Sequence, residues 1–193
     1  EDHDWQAALT HTSMSGKPPR LAPEAPFLQM FTSGTVGKPK GVAVPLAGMT
    51  AFAIYMELAI DLRDDDRFWN MADPGWAYGL YYAIAGPLLL GVTTHFCEAG
   101  FSAEGALAFM KRHHITNFAA APTAYRLMKA SGLFDDAHET LELRAASSAG
   151  EPLNTEVVTW VEKSLGCPVM DHYGQTETGM TCNNHHALDH LKH

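Results

Sequence analysis

Short apolar runs alternate with stretches of helical spacing between residues 67 and 171. Five of the runs have strand character, and they lie at 67–71, 93–96, 116–119, 143–148 and 168–171. Residues 78–90 are apolar on all sides and predict a buried helix, and 102–113, 122–129 and 154–165 predict further helices. Ser102 and Asn154 favour the start of a helix, and Gly166 favours its end. Strands that alternate with helices predict βαβ units, and hence an α/β fold with a parallel β-sheet flanked by helices.

The first third of the chain is organised differently. Apolar runs at 26–30 and 42–45 enclose a loop rich in glycine and hydroxyl residues, and helical spacing follows at 46–62. Residues 1–9 have the character of a helix end, and the Ser-, Gly- and Pro-rich residues 13–19 that of a linker. We therefore assign 1–25 to the end of a preceding helix plus a linker, and 26–193 to the α/β domain.

Composition narrows the classes of partner and compartment. The chain has 193 residues, 46% of them hydrophobic and 18% charged, which is typical of a globular domain and not of a disordered one. A net charge of −9 argues against nucleic acid or an anionic membrane as a partner. Three scattered cysteines form no CxxC pair, and no apolar run approaches membrane-spanning length. We expect a cytoplasmic protein without membrane insertion, and the sequence does not predict its oligomeric state.

The loop at 31–41 has the composition of a phosphate-binding loop, with the sequence Phe-Thr-Ser-Gly-Thr-Val-Gly-Lys-Pro-Lys-Gly. Glycines allow backbone N–H groups to approach an anion closely, hydroxyls donate further hydrogen bonds, and Lys38 or Lys40 supplies positive charge. Walker A spacing is absent, because only two residues separate Gly34 from Gly37, and the pattern Gly-x-Gly-x-x-Gly is absent too. A flexible hairpin connection is the alternative that composition leaves open.

Polar and glycine-rich segments follow three of the predicted strands, at 72–79, 150–153 and 171–179. Ligands of parallel sheets bind beyond the carboxyl ends of the strands, so these segments are expected to converge on one side. In the last segment Tyr173 offers an aromatic face to a nucleobase, Thr176 a hydroxyl to a phosphate, and Glu177 a carboxylate to Mg²⁺. A polar turn that merely ends the strand is the alternative for this segment taken alone.

Two motifs together resemble the signatures of one enzyme family. Thr-Ser-Gly-Thr-x-Gly-x-Pro-Lys-Gly, at 32–41, is similar to the phosphate loop of the adenylate-forming superfamily, with Val36 where Thr is usual. Tyr-Gly-x-Thr-Glu, at 173–177, is similar to that superfamily's second signature, and it follows at the usual order and rough spacing. The superfamily contains acyl-CoA synthetases, luciferases and the adenylation domains of peptide synthetases.

The resemblance implies a role for each residue that matches the family's motifs. The phosphates of ATP would be bound by Thr32, Ser33, Gly34, Thr35, Val36, Gly37, Lys38, Pro39 and Lys40. The adenine pocket would be lined by Gly150, Glu151, Pro152, Asp171, His172, Tyr173, Gly174 and Gln175, with Tyr173 on the ring. Thr176 would reach the α-phosphate and Glu177 would hold Mg²⁺, and with Lys40 they form the expected catalytic set. The acyl group would lie along Trp76, Tyr78, Gly79 and Gly174.

The reaction implied by the resemblance is the activation of a small carboxylic acid. The carboxylate attacks the α-phosphorus of ATP, which gives acyl-adenylate and pyrophosphate, and a thiol, usually coenzyme A, then takes the acyl group. ATP, Mg²⁺, coenzyme A and the acid are the cofactors and substrates expected on this basis. The segments at 150–153 and 173–179 resemble acetyl- and medium-chain acyl-CoA synthetases more than luciferases. That places the protein in fatty acid metabolism, although the sequence names neither the acid nor the thiol.

Gly174 bears on the size of the acid. In acetate-specific members of the family a Trp stands at the matching position and closes the acyl pocket. A glycine there predicts an open pocket floor and a medium-chain or aromatic acid. The alternative is that Gly174 serves backbone geometry and another residue closes the pocket.

Parts of the family pattern have no counterpart in this sequence. The family continues with a Thr-Gly-Asp that holds the ribose, a Gly-Arg-x-x-Asp hinge and a small domain with a catalytic Lys. The expectation is therefore that the chain is a central fragment, inactive by itself, and a non-catalytic nucleotide-binding remnant is the alternative. His186, His190 and His193 would share a face of a helix and could bind Zn²⁺, against a solvated tail as the simpler interpretation. The acidic run at 64–66 is predicted to be a solvated turn, with metal binding left open.

Overall fold

The computed structural model describes residues 19–32 and 38–186. In chain order its elements are β1 (Pro26–Thr32), β2 (Lys40–Pro45), α1 (Gly48–Ile54) with a π-helical continuation at Tyr55–Ala59, β3 (Phe68–Asn70), α2 (Ala77–Gly79), a π-helical segment at Leu80–Ala85, α3 (Gly86–Leu90), β4 (Thr94–His95), α4 (Ala103–His113), β5 (Asn117–Ala120), α5 (Pro122–Ser131), a 3₁₀ turn at Ala137–Glu139, β6 (Ala145–Ala149), α6 (Thr155–Leu165), β7 (Val169–Gln175) and β8 (Gly179–Asn183). The helix predicted at 1–9 and the centre of the predicted phosphate loop, 33–37, lie outside the described residues.

In the described part of the chain, six strands form one sheet in the order β4-β3-β5-β6-β7-β8. Strands β3 to β7 are parallel to one another, and β8 pairs antiparallel with β7. Strands β1 and β2 form a separate antiparallel hairpin, in which Thr32 pairs with Lys40. The predicted α/β class is confirmed, and the sheet carries an antiparallel edge strand that was not predicted.

Helices cover both faces of the sheet. Successive residues of each strand point to opposite faces, so they pack into two different cores. Trp69 and Phe118 belong to a core that also contains residues of α4, α5 and α6. Phe68 and Ala119 belong to a second core, formed with α1 and the helical segments between 77 and 90. Strands buried on both faces read as continuous apolar runs, which is why the sequence pattern located them.

The helix termini follow local sequence signals. The side chains of Ser102 and Asn154 each accept a hydrogen bond from a backbone N–H in the first turn of the following helix. Gly166 ends α6 in the left-handed conformation with φ of 74°. These three predicted caps are confirmed. None of the helices in the described ranges is both long enough and apolar enough to cross a membrane.

Two boundaries differ from the predictions. β7 continues to Gln175 instead of ending at residue 171, because it pairs with β8 across a turn at 176–178. Residues 22–25 form a turn whose carbonyls accept hydrogen bonds from Leu46 and Ala47, so the end of the predicted linker contacts the start of α1. The domain boundary at residue 26 stays a prediction.

Candidate active site

A cavity of about 530 Å³ lies beyond the carboxyl ends of β5, β6 and β7 and is called the main cavity below. Cavities of this size are typical of small-molecule sites. Its walls come from all three segments that were predicted to converge: the first supplies Ala72, Asp73, Trp76, Ala77 and Tyr78, the second Gly150 and Glu151, and the third Gly174, Gln175 and Thr176. The convergence is confirmed, and it follows from the parallel arrangement of the strands.

A second cavity of about 220 Å³, the turn cavity, lies on the other side of the β7–β8 turn. It is lined by Thr176, Glu177 and Thr178 from the turn and by Val44 and Pro45 from β2. Tyr81 and Tyr82 line both cavities. The turn that carries Thr176 and Glu177 therefore stands between two spaces that share a wall of tyrosines.

The loop after β6 presents its backbone to the main cavity. Gly150 has φ of 97°, a conformation that L side chains rarely adopt. The Glu151 carboxylate accepts a hydrogen bond from Thr123 Oγ1 at 2.8 Å and pairs with Arg126 at 2.5 Å, both residues of α5. Hydrogen bonds from Thr123 and Arg126 lower the pKa of Glu151. Of the adenine segment predicted here, Gly150 and Glu151 line the cavity, and Pro152 is exposed beside it.

The side chain of His172 faces the core and not the main cavity. Its Nδ1 accepts a hydrogen bond from Tyr55 at 2.7 Å, and its Nε2 donates to the carbonyl of Asn184 at 2.9 Å. Burial lowers the pKa of His172 to about 3, so the ring is neutral at ordinary pH. Both ring nitrogens of His172 are engaged inside the fold, so only its backbone remains for the predicted place in the adenine pocket.

Asp171 and Tyr173 flank this histidine on β7 and differ in exposure. Burial raises the pKa of Asp171, against a lowering effect of hydrogen bonds from the Leu153 and His172 backbones, and one of its oxygens is buried without a partner among the described residues. Tyr173 is 58% exposed, and its hydroxyl accepts a hydrogen bond from Gln175 at 3.1 Å. The ring of Tyr173 does not line the main cavity. Its free face remains accessible at the edge of β7, as stacking on a base requires.

Gly174 lines the main cavity, yet a side chain at this position would point at the neighbouring strand. An added Cβ would lie 2.8 Å from the carbonyl carbon of Gly179 and from Cα of Met180, and closer still to the Gly179 oxygen. The pairing of β7 with β8 shifts register at Tyr173 and Gly174, and this irregularity brings the two backbones together. The structure therefore favours the backbone role for Gly174 over that of an open pocket floor.

We predict that Gly174→Ala destabilises the β7–β8 hairpin, with a loss of about 2 kcal/mol, since the clash involves backbone atoms that cannot rotate away. Gly100→Ala is the matched control, because a Cβ at residue 100 meets nothing within 4 Å. Thermal unfolding of the two variants measures the difference. Equal melting temperatures would show that the hairpin relaxes freely around the added methyl group and would contradict the backbone role of Gly174.

The segment at 72–79 is held by Asn70, a buried polar residue at the end of β3. Its Oδ1 accepts a hydrogen bond from the Ala72 N–H at 2.9 Å, and its amide donates to the Tyr78 carbonyl at 3.4 Å. Trp76, predicted to contact the acyl group, lines the cavity and is 74% exposed. Tyr78 lines the cavity as well, although its hydroxyl is buried.

Gly79 has a structural role in place of the predicted contact with substrate. A Cβ there would meet the backbone of Asp73 and would lie 2.7 Å from the Ala72 oxygen. Gly79 is buried and does not line the main cavity. The glycine is required because the helix passes close to the preceding loop.

The described ends of the predicted phosphate loop are Thr32, at the end of β1, and Lys38, Pro39 and Lys40. Ser33, Gly34, Thr35, Val36 and Gly37 lie outside the described residues. Lys40 is exposed at the first position of β2 and lines neither cavity, whereas Val44 and Pro45 at the other end of that strand line the turn cavity. Four residues of strand, about 13 Å, separate Lys40 from Val44 at the turn cavity.

No group of three or more His, Cys, Asp or Glu side chains arranged to hold a metal occurs within 19–32 and 38–186. Glu177, the predicted Mg²⁺ ligand, is an exposed carboxylate on the turn, and such a residue suits a cation held mainly by substrate phosphates. His186 contacts the carbonyl of Ala146 through Nε2 at 2.8 Å, and His190 and His193 lie outside the described residues. The zinc hypothesis therefore gains no support from the structure.

The acidic run at 64–66 forms the predicted turn, but only two of its three residues are solvated. Asp64 and Asp65 are exposed, but Asp66 is buried, with 4% of its surface exposed. Its carboxylate forms an ion pair with Arg144. A carboxylate already paired with a guanidinium is a poor candidate for the metal ligand that the sequence left open.

Sequence reasoning did not find several residues that shape the site. Tyr81, Tyr82, Ala121, Ala149 and Met180 line the main cavity beside the predicted residues. In the sequence they are marked only by their apolar character, which is typical of a core. The two tyrosine hydroxyls in a helix predicted to be buried were the one available hint, because buried hydroxyls need partners.

The comparisons with known proteins agree with this geometry. A family model described as "AMP-binding enzyme" matches residues 1–193. The chain is 39% identical over 172 residues to the acetyl-coenzyme A synthetase of Xanthomonas axonopodis pv. citri, covering 84% of this chain and 26% of that protein. It is 36% identical over 186 residues to the acetyl-coenzyme A synthetase of Rhodobacter capsulatus, covering 92% and 28%. The chain thus spans little more than a quarter of the length of these relatives.

Two solved structures resemble the fold. The crystal structure of the Brucella canis acyl-CoA synthetase superposes with a TM-score of 0.91 and 52% sequence identity, over 98% of this chain and 35% of that one. A benzoate CoA ligase from Burkholderia xenovorans LB400 superposes with a TM-score of 0.84 over 93% of this chain and 36% of that one, and its 22% identity supports the fold alone. The match of the family model over the whole sequence shows that this chain belongs to the AMP-binding enzyme family.

Proposed function

We propose that the protein containing this chain activates a carboxylic acid with ATP through an acyl-adenylate and passes the acyl group to coenzyme A. The observation that carries the proposal is the main cavity, where the segments at 72–78, 150–151 and 174–176 meet in a member of the AMP-binding enzyme family. Relatives named acetyl-coenzyme A synthetase and acyl-CoA synthetase support the reaction type. They do not identify the acid.

The residues around the two cavities each have a proposed task in this reaction. The backbone at 150–152 and at 171–175 lines the adenine site, with the exposed ring of Tyr173 on the base and the Glu151 carboxylate holding its loop to α5. Thr176 contacts the α-phosphate, and the residues at 32–40 bind the outer phosphates, with Lys40 as countercharge. Glu177 is the proposed ligand of Mg²⁺, which neutralises phosphate charge when bound. Catalysis then consists of positioning and charge stabilisation.

The acid is proposed to lie along Trp76, Ala77 and Tyr78, in the part of the main cavity walled by aromatic rings. The space beside these rings is large enough for more than an acetyl group, since the whole cavity measures about 530 Å³. A medium-chain or aromatic acid would bury more apolar surface there than acetate, at about 0.8 kcal/mol per methylene. A pocket wall that fits the preferred acid is expected to change kcat/KM by about 10-fold or more for each methylene added or removed near the optimum chain length.

The experiment is carboxylate-dependent exchange of pyrophosphate into ATP, measured on the complete gene product with acetate, butyrate, hexanoate, octanoate and benzoate. The expected result is exchange that requires the acid and Mg²⁺, with kcat/KM rising at least 10-fold from acetate to the preferred acid. ATP binding without exchange for any acid would identify the alternative, a non-catalytic nucleotide-binding domain. The highest efficiency with acetate would retain the reaction and overturn the proposed acid class.

A cytoplasmic location is part of the proposal. Cys97, Cys167 and Cys182 are all unpaired, as is usual in reducing compartments. Burial raises the pKa of Cys167 to about 12, so its thiol is unreactive at ordinary pH.

A further inference from the structure

The turn between β7 and β8 is fastened at both ends by neighbouring tyrosines of the π-helical segment Leu80–Ala85. The Tyr81 hydroxyl donates a hydrogen bond to the carbonyl of Thr176 at 3.2 Å. The N–H of Met180 donates to the Tyr82 hydroxyl at 3.0 Å. Thr176 is the first residue of the turn and Met180 the second residue of β8, so the two bonds bracket the segment that contains Glu177.

Both tyrosines are fixed by packing, with 1% and 2% of their surfaces exposed. The Tyr81 ring stacks on Phe52 with centroids 4.8 Å apart, and the Tyr82 ring meets Phe52 edge-on at 5.3 Å. Tyr55, in the π-helical continuation of α1, packs against Tyr82 with ring centroids 4.4 Å apart. Because the rings are packed in this way, the hydroxyl groups have little freedom to move. Each hydroxyl therefore restrains the position of the backbone group to which it is hydrogen-bonded.

The backbone at the turn is matched to this arrangement. Gly179 has φ of 67°, and a Cβ at that position would lie 2.9 Å from the Tyr82 hydroxyl. Burial and the nearby charge of Glu177 raise the pKa of Tyr81, and burial raises that of Tyr82 to about 12. Both hydroxyls therefore stay protonated at ordinary pH. Short π-helical segments within helices are often found at functional sites.

We propose that Tyr81 and Tyr82 are positioning residues that hold the 176–178 turn in the conformation that presents Thr176 and Glu177 to ATP and Mg²⁺. Neither hydroxyl needs to contact the reacting atoms, because each acts through the turn backbone. The part of this inference that concerns ATP rests on the proposed function. The part that concerns the turn rests on the two hydrogen bonds alone and is tested separately.

The first experiment measures amide hydrogen exchange at 177–180 in Tyr81→Phe, Tyr82→Phe and a control. Tyr125→Phe is the matched control, because Tyr125 is fully buried and its hydroxyl donates to the Ser147 carbonyl at 2.9 Å, within β6 and away from the turn. Exchange at the turn is expected to be about 10-fold faster in the first two variants than in Tyr125→Phe, since each loses a hydrogen bond there. Equal exchange in all three would overturn the proposal, whether or not the protein activates acids.

The second experiment measures kinetics on the complete gene product. Tyr81→Phe is expected to lower kcat of exchange about 10-fold and to raise the Mg²⁺ concentration for half-maximal rate, with KM for the acid unchanged. A merely structural role predicts the small loss shared with Tyr125→Phe and no change in Mg²⁺ dependence, and that outcome would overturn the positioning role. Absence of exchange in the unmodified protein would instead refute the proposed function, while the hydrogen-exchange result would still decide whether the tyrosines hold the turn.

Discussion

Glu177→Gln is expected to lower kcat of acid activation by about 100-fold or more, with the fold unchanged. If Glu177 holds Mg²⁺ against the phosphates, as proposed, its replacement removes charge stabilisation in the transition state, and loss of one such group costs on the order of 100- to 1,000-fold. Glu177 is exposed on the turn, so its replacement leaves no buried group unpaired. Exchange of pyrophosphate into ATP at increasing Mg²⁺ concentration is the measurement, with melting temperature as the check on folding.

Glu162→Gln provides the matched control for this prediction. Glu162 is an exposed glutamate of α6, outside both cavities, and it has the same side chain and the same change in charge. The control should retain full activity and the same Mg²⁺ dependence. If Glu177→Gln behaved like Glu162→Gln, Mg²⁺ would need another ligand, and the match of 173–177 to the family motif would concern backbone geometry alone.

The sequence predicted the elements whose pattern reflects burial. β3, β5 and β6 and the helices between them were located because apolar residues repeat at the spacing of the element that buries them. Ser102 and Asn154 were identified because an N-cap is a local interaction within four residues. The convergence of three segments on one cavity also followed, since parallel strands end on the same side of a sheet.

The features that the sequence did not predict depend on contacts with residues that are distant in the sequence. Tyr173 to Gln175 are polar or glycine and read as a turn, yet they are strand because β8 pairs with them. His172 looked like part of a binding motif, and it is buried because Tyr55, 117 residues away, supplies the hydrogen bond that its ring needs. Gly174 looked like a substrate position until the approach of the Gly179 backbone was known. No local pattern contains this information.

Asp66 is a further residue whose environment depends on distant contacts. It lies at the opposite end of the sheet from the candidate active site. Three consecutive aspartates are usually solvated, and two of these are exposed. The third accepts hydrogen bonds from Arg144 Nε at 2.9 Å and from Thr116 Oγ1 at 2.7 Å. Arg144 also binds Asp61, which has φ of 52° in the loop after the first helix. One guanidinium thus joins that loop to the start of β6.

Arg144→Met is expected to destabilise the chain by about 3 kcal/mol, the largest loss of stability that we predict for a single replacement. Removing one partner of a buried ion pair leaves the other charge uncompensated, which typically costs 3–5 kcal/mol, and partial exposure of the guanidinium places the value at the lower end. Urea unfolding at pH 7 measures the change. Lys129→Met, which breaks the exposed pair with Glu156, should have little effect.

Acid pH separates this mechanism from a simple loss of packing. Burial raises the pKa of Asp66, but hydrogen bonds from Arg144, Thr116 and the Arg63 N–H together hold it below its ordinary value. A carboxylate with a lowered folded-state pKa contributes stability that is fully present above about pH 4 and is lost as the pH falls through the folded-state pKa.

Without Arg144, burial dominates and raises the pKa of Asp66, so the folded variant accepts a proton more readily. The difference in unfolding free energy between wild type and Arg144→Met should therefore narrow as the pH falls from 7 toward 4 and below. A difference that stayed constant over this range would mean that Arg144 stabilises the fold through its contacts with Asp61 or through packing, and not through the charge of Asp66.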